Sequence, residues 1–269
     1  MNLSISPGKN NVGAYINDIN LKSLDQDQAT EIKKILNKYG VIFIKEQNLD
    51  PETYQNFAKN IGQPVVYPRL KGLDEKFPFI NVIERKPDDK NLSFGSSWLH
   101  QDTSYLANDR PRYTMLMGIE IPVGQGNTIF SSGFNAYDKL PDDIKEKIKD
   151  ATGVFSSAGP IAITRLEREK EMGIKSSESM EAEHPIVITV DGKKTLYVSP
   201  GHLMKIKNVK EDEAEYLKNY LVDHVNKKDF IFSYEWTKGD ICLWDNLSIL
   251  HMASEIKNCR RVMHRITIK

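Results

Sequence analysis

Helical spacing of apolar residues is clearest in the first quarter of the chain. Over residues 26–38 the apolar side chains recur on one stripe of a helix, at Ala29, Ile32, Ile35 and Leu36. Gly40 follows at the position where a glycine commonly ends a helix. Asp50 and Pro51 supply an N-cap and a first helical residue, so a second helix is predicted to run to about Ile61.

Beyond these helices, short runs that are wholly apolar or alternate with polar residues predict strands. Residues 41–44 are apolar throughout, which is typical of a strand buried on both faces. Helices are predicted within 134–151 and over 212–225. The pattern as a whole predicts a mainly β fold with flanking helices, a sandwich or barrel of jelly-roll type. Its further strands are expected within 3–19 and at 79–83, 98–103, 113–121, 128–130, 185–190, 195–198, 230–234, 241–244, 249–252 and 261–268.

Residues 156–183 break this pattern. They are rich in Ser, Glu, Lys and Arg and show little periodicity. Such a stretch inside a compact domain is usually a lid, a binding loop or a disordered excursion. We predict a lid-like insertion here, a mobile cover within one domain that spans residues 1–269.

The charge balance argues against partners that are recruited by a strong electric field. The 269 residues carry 37 basic and 37 acidic side chains, so we expect neither nucleic acid nor a membrane surface as a partner. No apolar run reaches the length of a membrane span, and we expect no signal peptide. With only Cys242 and Cys259, a disulfide framework is not expected, and the predicted location is cytoplasmic.

Candidate chemistry begins in the segment from Trp98 to Thr103. If this segment is extended, His100 and Asp102 point to the same side. Two histidines and one carboxylate on one face of a metal, with the opposite face open, are the ligands of non-haem Fe(II) oxygenases. A His-x-Asp triplet also arises by chance. His251 follows the largely apolar run from Leu247 to Leu250 and is equally consistent with a core histidine.

The remaining histidines carry weaker signals. His224 lies late in a charged helix and is predicted to be a surface residue, whereas His184 precedes a proline in a polar segment and is predicted to lie in a loop. Neither is expected to bind a metal.

The final strand, residues 261–268, alternates between two faces. Arg261 and Arg265 share one face with Met263. This face is either exposed to solvent or lines a barrel interior, where guanidinium groups bind anions such as carboxylates or sulfonates through paired, charge-assisted hydrogen bonds. The local pattern leaves both interpretations open.

Four motifs, taken in this order and spacing, resemble those of the TauD/TfdA family of Fe(II)- and 2-oxoglutarate-dependent dioxygenases. They are Trp98–Asp102, Gly126–Thr128, Trp244–Asn246 with His251, and Arg261–Ile268. The resemblance covers most of the chain and implies a double-stranded β-helix, a cupin-like jelly-roll barrel. It also implies Fe(II) as the metal, 2-oxoglutarate as the co-substrate and O2 as the oxidant, with dimers or tetramers common among relatives.

Residue roles follow from the same resemblance. His100, Asp102 and His251 match the iron ligands of the family, which makes them the expected catalytic set. Thr128 and Arg261 match the pair that binds the distal carboxylate of 2-oxoglutarate. A carboxylate at Asp102 is expected in a hydroxylating enzyme that releases succinate and CO2, because the related halogenases have a small residue there.

The resemblance also bears on the substrate. Arg265 matches an arginine that meets the acidic group of the substrate in several members, and Tyr67 is expected near that group. The histidine that binds taurine in the family has no counterpart before Tyr67, Ser96 replaces an expected asparagine, and His202 replaces an aromatic pocket residue. These departures predict a small acidic substrate other than taurine, a sulfonate, phosphonate or carboxylate, with Ser96 and His202 in the pocket wall. The alternative for His202 is a surface position in a loop.

Other functions remain open from the sequence. A zinc hydrolase could use His100, Asp102 and His251, but it offers no account of Thr128 or Arg261. A non-catalytic sensor that binds 2-oxoglutarate and a metal is a second alternative, and a taurine dioxygenase proper is a third.

Overall fold

The computed structural model describes residues 3–67, 70–90, 96–162, 166, 170 and 178–269. The helices in these ranges are α1 (Gln26–Tyr39), α2 (Pro51–Ile61), α3 (Gly133–Asp138), α4 (Asp142–Ile148) and α5 (Glu211–Val225). The first eight strands are β1 (Ile5–Pro7), β2 (Ala14–Ile16), β3 (Val41–Ile44), β4 (Pro64–Val65), β5 (Asn81–Arg85), β6 (Tyr113–Glu120), β7 (Thr128–Ser132) and β8 (Thr152–Ser156). The remaining strands are β9 (Glu181–Pro185), β10 (Val187–Val190), β11 (Lys193–Leu196), β12 (Leu203–Lys207), β13 (Ile231–Tyr234), β14 (Ile241–Asp245), β15 (Ile249–Ala253) and β16 (Arg261–Ile268).

The strands form one large sheet and three smaller ones. The large sheet has the order β1-β2-β3-β14-β6-β16-β4, and β5 also pairs with β16. The smaller sheets have the orders β13-β7-β15, β12-β8-β9 and β10-β11. The predicted mainly β fold with flanking helices is confirmed.

A layer of side chains joins the large sheet to the β13-β7-β15 sheet. Phe43 and Trp244 of the large sheet lie in one cluster with Phe130 and Tyr234 of the smaller sheet. The rings of Phe43 and Tyr234 are stacked with centroids 4.7 Å apart. His251 on β15 and the arginines of β16 therefore belong to two sheets that face each other.

The first two helices cover the outer face of the large sheet. Asp25 and Gln28 form a capping box at the start of α1, and the Asp50 side chain accepts from the Thr53 backbone at the start of α2. The apolar stripes of both helices pack in one cluster with side chains of β6, β14 and β16. The helices predicted at 26–38 and from Pro51 to about Ile61 are both confirmed.

Several local predictions are wrong. Residues 98–103 form isolated bridges and turns instead of a strand, and Thr103 has a φ of 54°. His184 lies in β9 and is buried, and its Nε2 lies 2.9 Å from the carbonyl oxygens of Ser104 and Leu106. His224 is also buried because the apolar face of α5 turns inward, and its Nε2 donates to the Ala136 carbonyl at 2.9 Å.

The central part of the predicted insertion at 156–183 lies outside the described residues, at 163–165, 167–169 and 171–177. Its two ends belong to the paired strands β8 and β9. The lid and the single-domain boundaries stay predictions. Among the described helices, none is long and apolar enough to cross a membrane.

Candidate active site

Two histidines from distant parts of the chain are joined by their backbones. The His100 N–H donates to the His251 carbonyl at 3.0 Å, and the His251 N–H donates to the His100 carbonyl at 2.9 Å. This is an isolated antiparallel bridge, and side chains of such a directly opposed pair stand on the same side. The two imidazole centroids are 4.3 Å apart.

Asp102 completes a group of three possible metal ligands. Its Oδ1 lies 3.8 Å from Nε2 of His100 and 3.8 Å from Nε2 of His251. One ligand atom from each residue lies within 4.8 Å of the other two. Two imidazoles and one carboxylate form the donor set that suits non-haem Fe(II).

The protonation of these side chains suits a metal. Nδ1 of His100 lies 3.0 Å from the Trp98 carbonyl, which only accepts, so Nδ1 carries the proton and Nε2 keeps its lone pair. Burial lowers the pKa of His100 and lowers that of His251 to about 3, so both are neutral at pH 7. Burial alone would raise the pKa of Asp102, but Arg265 and both histidines outweigh it and hold that pKa well below its usual range. Neutral imidazole and ionised carboxylate are the forms that bind metal.

The second oxygen of Asp102 is already occupied by protein donors. Thr114 Oγ1 donates to Oδ2 at 2.7 Å, and Arg265 Nη2 donates to the same atom at 2.8 Å. Asp102 therefore presents Oδ1 alone to the two histidines.

Arg261 is a buried cation beside the three ligands and forms no ion pair with any described residue. Arg261 is 6% exposed, and its Nε and Nη2 have no hydrogen-bond partner among the described residues. Burial lowers the pKa of Arg261 to about 10, so the guanidinium is still charged at neutral pH. Because an unpaired buried charge is costly, this group fits a ligand carboxylate.

Thr128 lies at the same cavity with a hydroxyl proton to donate. Its Oγ1 accepts from Trp236 Nε1 at 3.0 Å, which leaves its own O–H for another acceptor. A cavity of about 40 Å³ contacts Thr128 and Arg261 together with His100, Asp102, His251 and Arg265. The structure therefore brings together the predicted metal group and the predicted 2-oxoglutarate pair, and the residues present fit both.

Gly126 makes room for Arg261. A Cβ at Gly126 would lie 2.8 Å from Arg261 Cδ, and Gly126 has a φ of +72°, which favours glycine. The sequence shows a glycine in the Gly126–Thr128 motif, but only the fold shows that an arginine more than a hundred residues away needs the space.

The residues predicted to bind the substrate fall into separate surroundings. Arg265 is 3% exposed, so the solvent-facing alternative for the β16 arginines is wrong, and its Nη1 has no hydrogen-bond partner in the described structure. The Tyr67 ring lies 4.6 Å from the Arg265 guanidinium carbon. Ser96 instead lines a larger cavity of about 550 Å³, which shares Ala253 with the cavity at the ligands.

His202 is buried behind the metal ligands, so the surface alternative for it is wrong. Its Nδ1 lies 2.9 Å from Ser104 Oγ and 3.1 Å from Ser199 Oγ. Its ring stands perpendicular to that of His100, with centroids 5.8 Å apart. His202 lines neither of these two cavities and contacts the site through His100.

Thr114 contacts the metal group but is not predicted from the sequence. It lies on β6, 12 positions after Asp102, and is fully buried. The only signal is a hydroxyl residue in a strand that is otherwise apolar over most of its length, which does not identify its partner.

Comparison with known families decides the relationship. A family model described as "Taurine catabolism dioxygenase TauD, TfdA family" matches residues 4–267. The chain belongs to the TauD/TfdA family. The predicted membership is thereby confirmed, and with it the enzyme class, a 2-oxoglutarate-dependent dioxygenase that uses Fe(II) and O2.

Relatives of this TauD/TfdA protein include enzymes named for sulfate esters. An alkylsulfatase from Acinetobacter baylyi is 30% identical over 270 residues, which cover 96% of this chain and 82% of the relative. An alpha-ketoglutarate-dependent sulfate ester dioxygenase from Pseudomonas putida is 27% identical over 280 residues, which cover 100% of this chain and 90% of the relative. Alpha-ketoglutarate is another name for 2-oxoglutarate.

A solved structure supports the fold. A taurine dioxygenase from Burkholderia xenovorans superposes with a TM-score of 0.81 at 24% identity, covering 100% of this chain and 91% of the other. This likeness agrees with the predicted jelly-roll architecture.

Proposed function

We propose that this TauD/TfdA-family dioxygenase hydroxylates an acidic organic substrate and converts 2-oxoglutarate to succinate and CO2. Candidate substrates are sulfonates, sulfate esters, phosphonates and carboxylates. One observation carries the proposal. The guanidinium of Arg261, which has no ion-pair partner among the residues that the structure describes, contacts the same cavity as the ligand atoms of His100, Asp102 and His251.

The metal role falls to the two neutral imidazoles and the ionised carboxylate. Nε2 of His100, Nε2 of His251 and Oδ1 of Asp102 would hold Fe(II), because the other contacts of Asp102 leave only Oδ1 available. When bound, Fe(II) supplies the activation of dioxygen that hydroxylation requires. Burial of all three side chains keeps bulk water away from the ligand atoms.

The co-substrate role falls to Arg261 and Thr128. The guanidinium pairs with the distal carboxylate of 2-oxoglutarate, and the Thr128 hydroxyl donates to the same group. The rigid indole of Trp236 orients that hydroxyl. Because both residues line the cavity that contacts the metal group, they direct the 2-oxo acid end of the co-substrate towards the three ligands.

The substrate role of Arg265 rests on its Nη1. One amino group of the guanidinium is held by Asp102, and the other has no hydrogen-bond partner within the described ranges. A substrate anion at Nη1 would satisfy it, with Tyr67 packed against the guanidinium face. The sulfate ester relatives support an oxyanion of this kind.

The larger cavity suits the organic part of the substrate. Its apolar lining comes from Ile129, Met252, Ala253 and Ile256, and Ser96 lies in the same wall. It shares Ala253 with the ligand cavity, and we infer that a substrate bound in it extends past Ala253 towards the metal group. We place Ser96 in the pocket wall and His202 behind it, where it supports His100. The cytoplasmic location, an oligomeric state and the absence of nucleic-acid and membrane partners stay predictions.

A substrate screen tests the proposal. The purified protein is supplied with Fe(II), 2-oxoglutarate and air, and succinate is measured with and without alkyl sulfates, alkyl sulfonates, phosphonates, carboxylates and taurine. We expect succinate release that depends on an anionic compound and exceeds that with taurine. A zinc hydrolase would release no succinate, and a sensor would bind 2-oxoglutarate without consuming it. Either result would contradict the proposal.

A further inference from the structure

A chain of four buried side chains ends on the metal-binding carboxylate. Trp244 Nε1 donates to Asn246 Oδ1 at 2.9 Å, and Asn246 Nδ2 donates to Thr114 Oγ1 at 2.9 Å. Thr114 Oγ1 then donates to Asp102 Oδ2 at 2.7 Å. None of the four residues is more than 9% exposed, so water does not compete strongly for these bonds.

The direction of every hydrogen bond in this chain is fixed from both ends. The indole N–H only donates, and an ionised carboxylate only accepts. Asn246 Oδ1 also lies 3.4 Å from the Asp102 backbone N–H, a second donor, so the amide oxygen must face these two groups. The amide nitrogen of Asn246 therefore faces Thr114 and donates to its hydroxyl oxygen. The Thr114 hydroxyl then donates its own proton to Asp102.

This arrangement determines which oxygen of Asp102 is available. Oδ2 receives one donor from Thr114 on β6 and one from Arg265 on the neighbouring strand β16. Oδ1 is the atom that lies 3.8 Å from both histidine Nε2 atoms. A carboxylate held in this way cannot rotate without breaking two charge-assisted hydrogen bonds.

We propose that Trp244, Asn246 and Thr114 form a positioning relay that holds Asp102 as a one-oxygen metal ligand and thereby sets the metal affinity of the site. This inference rests on the proposed metal role of Asp102. Thr114 and Asn246 do not line the ligand cavity and act through Asp102, whereas Trp244 also lines that cavity and packs against the His251 ring with centroids 4.5 Å apart. Outer contacts of this kind typically change metal affinity by about 10- to 100-fold when removed.

The test measures Mn²⁺ binding to the metal-free protein by equilibrium dialysis, with no turnover involved. Thr114→Val removes the hydroxyl at nearly constant shape, and we expect an Mn²⁺ dissociation constant about 10- to 100-fold higher. Thr114→Ser restores the donor and should return the constant close to that of the natural protein. Should Thr114→Val fail to fold, Trp244→Phe and Asn246→Asp interrupt the relay at other points, and both should weaken Mn²⁺ binding.

Thr267 offers a matched control. It lies directly opposite Thr114 in the pairing of β16 with β6 and is equally buried. Its hydroxyl has no hydrogen-bond partner in the part of the chain that the structure describes. Thr267→Val should leave Mn²⁺ binding unchanged, whereas equal weakening by Thr267→Val and Thr114→Val would show a general packing effect and overturn the relay.

Asp102→Ala distinguishes a failure of the relay from a failure of the metal site. If it abolishes Mn²⁺ binding while Thr114→Val, Trp244→Phe and Asn246→Asp bind Mn²⁺ like the natural protein, the relay is wrong and the metal site stands. If Asp102→Ala itself binds Mn²⁺ normally, the proposed metal site is wrong.

Discussion

Arg265 donates a 2.8 Å hydrogen bond to Oδ2 of Asp102, the oxygen of that carboxylate not turned towards the two histidines. The pair is buried, with side-chain exposures of 3% and 11%. Arg265, which is proposed to bind the substrate anion, is therefore in direct contact with Asp102, which is proposed to bind the metal. A change at either residue alters the electrostatic environment of the other.

Because of this pairing, we expect both Arg265 and a bound metal ion to compensate the negative charge of the buried Asp102 carboxylate. Removing one partner of a buried ion pair typically costs about 3–5 kcal/mol, because the other charge is left uncompensated. Arg265→Ala should therefore lower the melting temperature of the metal-free protein. Bound Mn²⁺ can replace the lost positive charge, so added Mn²⁺ should raise the melting temperature of Arg265→Ala more than that of the natural protein.

Lys45→Met supplies the control, because Lys45 pairs with the buried Asp240 through a 2.6 Å contact away from the site. Its response to Mn²⁺ should match that of the natural protein. Equal Mn²⁺ shifts in all three proteins would contradict the coupling. Arg265→Ala should also raise the concentration of anionic substrate needed for half-maximal succinate release, and indifference to this change would refute its substrate role.

Arg261→Ala should raise the 2-oxoglutarate requirement by about two to three and a half orders of magnitude. The basis is the cost of about 3–5 kcal/mol for an unpaired buried charge, at about 1.4 kcal/mol for each tenfold change. The neighbouring Arg260 is half-exposed and pairs with Glu84 and Glu120. Arg260→Ala should leave the 2-oxoglutarate requirement unchanged. If Arg261→Ala also has the 2-oxoglutarate requirement of the natural protein, the assigned contact between Arg261 and the co-substrate carboxylate is wrong.

Gly126→Ala should impair 2-oxoglutarate binding by displacing Arg261. Its new Cβ would meet Arg261 Cδ at 2.8 Å and Nε at 3.0 Å. Gly124 has a similar φ of +69° but nothing within 4 Å of an added Cβ, so Gly124→Ala carries the same backbone strain without the collision. Dialysis against labelled 2-oxoglutarate should show weaker binding only for Gly126→Ala. Equal weakening in both variants would indicate backbone strain instead of a displaced Arg261.

The buried histidines predict a loss of stability in mild acid. Burial lowers the pKa values of His184 and His224 below their value of about 6.5 in the unfolded chain. Below pH 6.5 the unfolded state therefore binds more protons than the folded state, and the free energy of unfolding falls as the pH falls. Urea unfolding should give a smaller free energy at pH 5.5 than at pH 7.5.

His224→Gln keeps an amide donor for the Ala136 carbonyl and cannot titrate in this range. The difference in the free energy of unfolding between pH 5.5 and pH 7.5 should be smaller in this variant. A natural protein that is equally stable at both values would contradict the assignment of neutral buried histidines.

The sequence predicts those parts of the fold that depend on local periodicity. The α1 and α2 helices have apolar stripes and capping residues within a few positions of each other, so their bounds agree closely with the structure. The sequence does not predict the short strands β8, β9 and β12. Exposed charged residues interrupt the apolar pattern of β9 and β12, and β8 pairs only with these two strands, which follow much later in the chain. The segment that carries His100 and Asp102 is irregular, and its shape depends on the backbone bridge to His251.

The sequence predicts those residues of the candidate site that lie in a recognisable motif. It does not predict contacts that depend only on how strands pack together. His100, Asp102, His251, Thr128 and Arg261 all lie in the four motifs, and the fold places them at one cavity. Register between β6 and β16 decides that Thr114 and Arg265 reach the same carboxylate oxygen. No local sequence pattern predicts that these two side chains contact the same oxygen.

Labelled dioxygen tests the central claim most directly. The protein is incubated with Fe(II), 2-oxoglutarate, ¹⁸O₂ and an anionic substrate from the screen, and the succinate and product are analysed by mass spectrometry. Loss of CO2 from the 2-oxo acid creates a carboxylate that needs one new oxygen, and hydroxylation needs the other. We expect one ¹⁸O atom in succinate and one in the product, and neither with Asp102→Ala. Unlabelled succinate, or labelling that persists in Asp102→Ala, would contradict the account.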